Sequence, residues 1–142
     1  MPRIALWFFA VAPIYVLIGM GFGVYMGAAM DFSLAPAHAH LNLIGWVTMA
    51  LYGTFYALAK DASELLARIT FWLNNVATCI MFPFLAMVIR SGEQSSFILP
   101  LIVSEFIALG AMLCFAISVW QVLLRSGSES SSAGAGRRVP AE

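Results

Sequence analysis

Apolar residues gather into four long runs, at about residues 5–29, 37–59, 69–89 and 97–124, separated by short polar breaks. Each run meets the requirement of roughly 20 apolar residues for a helix that crosses the hydrocarbon core. None alternates apolar and polar positions as a barrel strand would. Helices satisfy their own backbone hydrogen bonds in lipid, so four spanning helices are the predicted elements. The breaks cover residues 30–36, 61–68 and 91–96, and Pro36 suits the first turn of the second helix. From Ser126 the chain reads SGSESSSAGAGRRVPAE, rich in Gly and Ser and without apolar pattern. We expect an all-α membrane protein with one antiparallel four-helix bundle over 1–125 and a disordered cytoplasmic tail over 126–142.

Composition supports this division. The chain is 62% hydrophobic and 10% charged, whereas a soluble domain is roughly half apolar and a quarter charged. The first run exceeds the 7–15 apolar residues of a signal peptide, so it is read as a retained span. Formal net charge is zero, which gives no global basic patch for nucleic acid. Arg3, Lys60, Arg68, Arg125, Arg137 and Arg138 fall on one side of the four spans and Arg90 on the other. That bias predicts cytoplasmic N- and C-termini. Cys79 and Cys114 lie inside apolar runs without a CxxC pattern and read as buried and inert. Gly19, Gly23 and Gly27 form two overlapping GxxxG patterns in the first span, a surface on which membrane helices approach closely. Met20, Met26 and Met30 nearby are read as packing, with metal ligation as the lesser alternative.

The two histidines, His38 and His40, stand one residue apart at the outer end of the second run. Ionisable groups in a membrane span are costly and mark functional sites by default. Successive residues of an α-helix turn by about 100°, so the two imidazoles point about 200° apart. They cannot chelate one small ion together, and each must look into a different compartment. On this wheel Asn42, Gly45, Met49, Gly53 and Tyr56 share the face of His38, a small and partly polar stripe that leaves space for a cofactor. Ile44, Val47, Leu51, Thr54 and Leu58 share the face of His40, an apolar wall.

The stretch HAHLNLIGWVTMALYG resembles the histidine-bearing helices of the catalytic subunit of the haem–copper oxidase and nitric oxide reductase superfamily. Its closest likeness is the His-x-His pair of that subunit's tenth helix, where the histidines ligate two different haems. The family's subunit has twelve spans in three arcs of four, with the histidines on the second helix of each arc. The resemblance therefore implies that this chain is one arc and that a homotrimer rebuilds the ring. It implies haem b bound through His38 and His40 at subunit interfaces, in a bacterial inner (plasma) membrane. Asn42, Gly45, Trp46 and Met49 are the further candidates for lining the haem. The chain lacks a third histidine and the His-x-x-x-Tyr segment that the family's copper site uses, so no complete haem–copper binuclear centre is expected. Tyr52 and Tyr56 lie deeper on the same helix and read as packing and anchoring groups.

Glu105 sits about eight residues, or about 12 Å, into the fourth span. It is a candidate proton-relay group or acceptor for a histidine N–H; the alternative is a protonated carboxyl in a helix–helix hydrogen bond. Asn74 and Asn75 are expected to hydrogen-bond between helices. Asp31 in the outer loop is a solvated carboxylate or a proton acceptor. Three function classes follow. The first is a haem b protein for electron transfer, with an unknown electron donor, or for chemistry on oxygen or nitric oxide. The second is a membrane copper- or zinc-binding or transport protein. The third is a small structural or assembly subunit in which the histidines are incidental.

Overall fold

The computed structural model describes residues 1–91 and 96–135, with side chains described up to residue 126. Four helices follow one another: α1 (Arg3–Ala29), α2 (Ala35–Leu58), α3 (Glu64–Ser91) and α4 (Ile98–Ala135). Among the described residues all four are long and apolar enough to cross a membrane. The predicted spans are therefore present. The backbone of α4 stays helical to Ala135, past the expected end of its span at residue 124; the rest of the tail, 136–142, lies outside the described residues.

Local chemistry sets the helix ends. Met30 closes α1 in the left-handed region, φ 52°, where its N–H meets the Gly27 carbonyl and the Asp31 N–H meets that of Met26. Asp31 Oδ1 then accepts the Ser33 N–H at 3.0 Å, and that bond holds its carboxyl below the usual carboxylate range. Pro36 occupies the first turn of α2, where no N–H is needed.

Each helix packs mainly on its chain neighbours: α1 on α2, α2 on α3, α3 on α4. Among the described residues no comparable packing joins α1 to α4, so the four form an open arc. The end that carries Arg3, Lys60 and Arg68 is drawn together by an aromatic cluster. Phe8 of α1 is fully buried. Its ring lies 5.7 Å from Tyr56 of α2 and 5.2 Å from Phe71 of α3. Phe115 of α4 closes on Tyr52 at 4.5 Å. The Tyr56 hydroxyl lies 2.9 Å from Ser118 Oγ, which itself donates to the Cys114 carbonyl. Such a chain of satisfied hydroxyls removes the cost of placing them in an apolar core.

Helix α2 is not one uniform helix. It is α-helical over Ala35–His40, π-helical over Leu41–Thr48 and α-helical again over Met49–Leu58. π segments bond i to i+5, are rare, and favour functional sites. Here Asn74 of α3 donates its amide to the Ile44 carbonyl at 3.1 Å. A cross-helix donor on a carbonyl of the widened turn stabilises a break in the α ladder. Gly45 supplies the matching hollow, because a Cβ there would stand 2.8 Å from Tyr15 Cγ and 3.0 Å from Thr78 Cγ2.

Candidate functional site

The π segment lies beside a groove that His40, Ile44, Thr48 and Tyr52 of α2 all line. The face expected for His40 is otherwise kept: Val47, Leu51 and Leu58 are, like His40, exposed, at 40%, 62% and 76%. The face expected for His38 is the packed one, with Gly45, Met49, Gly53 and Tyr56 all buried. Thr48 and Tyr52 join the groove from the flank of the His40 stripe.

His40 stands at one end of this groove, a cavity of ≈ 370 Å³. Its floor is Asn74 and Met81 of α3, and its far wall includes Glu105, Leu109 and Met112 of α4. His40 Nδ1 lies 2.8 Å from the Pro36 carbonyl. A carbonyl only accepts, so Nδ1 is the donor in this contact, which in the neutral imidazole leaves the lone pair on Nε2. Backbone bonding of this kind fixes ring and tautomer for a metal-ligating imidazole. Nε2 has no hydrogen-bond partner among the described residues. Glu105, on the same groove, is likewise exposed and forms no hydrogen bond or ion pair among them. At the other end Tyr52 directs its hydroxyl to Met112 Sδ at 3.7 Å.

His38 faces the other way, as its two-residue offset from His40 predicts. Its ring stacks on Phe22 of α1, centroids 6.4 Å apart. Asn42 Nδ2 lies 3.1 Å from His38 Nε2 and also donates to the His38 carbonyl. Two glycines of α1 make room for this polar pair. A Cβ at Gly23 would stand 3.1 Å from His38 Cε1, and one at Gly19 would overlap the Asn42 side chain. Gly27 meets open space, so the second GxxxG pattern makes no close approach within the chain.

The small stripe below His38 is filled rather than open. Gly45 receives Tyr15 and Thr78, Gly53 receives Phe8, and Met49 is fully buried. The space expected there for a cofactor is taken up by α1 and α3. Trp46 is half-buried against the aromatic cluster. Of the candidate residues, His40 and Glu105 both line the groove; His38 and Asn42 form a separate pair, and Gly45, Trp46 and Met49 serve helix packing. Asn75 accepts the Tyr15 hydroxyl at 2.8 Å. Cys79, read as buried, is exposed on the single chain and touches the Tyr15 hydroxyl at 3.4 Å. Met26 is buried whereas Met20 and Met30 are exposed, so these three do not converge. No group of three His, Cys, Asp or Glu side chains suited to a metal ion occurs among the described residues.

Sequence reasoning missed Thr48, Tyr52, Met81 and Met112 as groove residues. The recurrence of His40, Ile44, Thr48 and Tyr52 at intervals of four was the available signal. No family model, characterised protein or solved structure matches this chain.

Proposed function

We propose that this chain is a haem b-binding integral membrane protein of the haem–copper oxidase type. One observation carries the reading. His40 heads an apolar-walled groove with Nδ1 tied to a carbonyl and Nε2 unpaired. At ≈ 370 Å³ the groove lies within the range of cofactor sites, roughly 300–1,000 Å³. His40 would ligate the iron, Ile44, Leu109 and Met112 would flank the ring, and Glu105 would hold or pass a proton at its edge. Bound haem supplies one-electron chemistry or a site for a small gas, according to whether its sixth position is filled. Filling it with His38 requires a neighbouring copy and release of the Asn42 bonds. A homotrimer, in which the open arcs join edge to edge, would offer that pairing at each interface. The electron donor stays unassigned.

The test is a purified sample in detergent. A red protein with a Soret band and a trimeric mass supports the proposal. A colourless protein without iron sinks it. The groove's His40, Glu105, Met81 and Met112 also form a mixed N, O and S donor set, which favours copper or zinc as the second reading. Stoichiometric metal without a Soret band would select it.

Orientation belongs to the same proposal. Arg3, Lys60, Arg68 and Arg125 gather at one end, Arg125 donating to the Asp61 carbonyl at 2.8 Å. The charge bias makes that end cytoplasmic, in a bacterial inner membrane. A reporter fused to the C-terminus should then be active in the cytoplasm. Activity only on the outer side reverses the assignment.

A further inference from the structure

The chain repeats a short pattern that the histidine site does not use: RIALW at 3–7 and RITFW at 68–72. Both stretches open odd-numbered spans, so α1 and α3 leave the same end of the bundle in the same direction. Each places an arginine one turn before a tryptophan, at matched depth. Between them lies a cavity of ≈ 320 Å³, lined by Arg3, Trp7, Glu64, Arg68, Phe71 and Trp72. Trp7 meets Phe71 edge-on at 6.3 Å, closing the apolar floor. Both tryptophans are otherwise exposed. Arg68 is paired to Glu64 at 2.7 Å on the surface. Arg3 has no hydrogen bond or ion pair among the described residues.

Charge and depth together identify an occupant. Two guanidiniums and one carboxylate leave the cavity with one excess positive charge. A phosphodiester monoanion neutralises it and matches the fork of donors that arginine presents. Tryptophan belongs at the headgroup level, with its ring toward the acyl chains. Basic hollows between helices at a membrane face are suited to anionic headgroups. We infer that the Arg3–Arg68 cavity is a binding site for an anionic glycerophospholipid, its phosphate between the two guanidiniums and its acyl chains along Trp7 and Trp72. The inference does not depend on haem.

The test uses the full chain, with Trp46→Phe and Trp120→Phe so that Trp7 and Trp72 alone report. It is placed in phosphatidylcholine vesicles doped with brominated-chain phosphatidylglycerol, or with brominated phosphatidylcholine at the same fraction. Phosphatidylglycerol should quench well beyond its mole fraction. Arg3→Gln and Arg68→Gln should each weaken that preference about fivefold, while Glu64→Gln should preserve or raise it. Glycerol 3-phosphate should leave the quenching in place. If the tryptophan background does not fold, lipid retained by the unaltered chain is counted by native mass spectrometry, where phosphatidylglycerol should be enriched over phosphatidylcholine. Equal quenching or retention of the two lipids overturns the proposal. So does a preference indifferent to both arginines, and displacement by glycerol 3-phosphate would make the site one for soluble phosphates instead.

Discussion

His40→Ala is expected to abolish the Soret band of the purified protein altogether. Among the described residues the imidazole is the only nitrogen ligand on the groove without a partner at its free nitrogen, and its orientation comes from the Pro36 carbonyl. His40→Gly should lose the band too and regain part of it when free imidazole is added, because the smaller residue leaves room for the missing ring. His38→Ala gives the sharper discrimination. If His38 of a neighbouring copy fills the sixth position, this variant turns a six-coordinate spectrum into a five-coordinate one that binds carbon monoxide. If His38 serves only its stack on Phe22 and its bonds to Asn42, the spectrum stays as in the parent and the shared-interface arrangement is lost. An unchanged spectrum in His40→Ala would remove the haem proposal's main support.

Gly45→Ala is expected to destabilise the chain by about 1–3 kcal/mol, the usual cost of overpacking a well-filled core. Its Cβ would press on Tyr15 from α1 and Thr78 from α3 at once, and neither contact is the free end of a flexible chain. Gly27→Ala is the matched control, since a Cβ there meets nothing within 4 Å. Replacing an open helical glycine should instead add about 0.5–1 kcal/mol. Loss of helicity on heating in detergent measures both. If Gly45→Ala unfolds no earlier than Gly27→Ala, the three-helix junction is not as tight as described.

How far the sequence could be read depended on where each feature takes its cause. Hydropathy fixes the four spans locally, and apart from the extended end of α4 their helices begin and end within about five residues of expectation; Pro36 and the Met30–Asp31 break mark the helix ends by their own backbone chemistry. The opposite facing of His38 and His40 also follows from local geometry, because both precede the π segment. Below residue 41 the wheel still separates exposed from packed positions, but it does not show the groove. The string LNLIGWVT contains no proline and no other signature of a widened turn. The Asn74 amide that meets its Ile44 carbonyl comes from 30 residues away. Tyr52 packs in the core, as expected, and also lines the groove. That His40 and Glu105 line one groove depends on how α4 lies across α3, which a pattern within one span does not encode.

The open arc has a consequence for how such chains can be joined. Its two edges are different surfaces, one made by α1 and the other by α4, and neither is covered by the other. An even number of spans also brings Arg125 back to the end where Arg3 begins. A duplicated reading frame could therefore run one copy into the next without inverting either in the bilayer, and the α4 edge of the first would lie beside the α1 edge of the second. With three or five spans, tandem duplication would turn every other copy upside down. Four spans make the arc a unit that can be concatenated, so that assembly from separate chains and assembly within one long chain are reachable from the same topology.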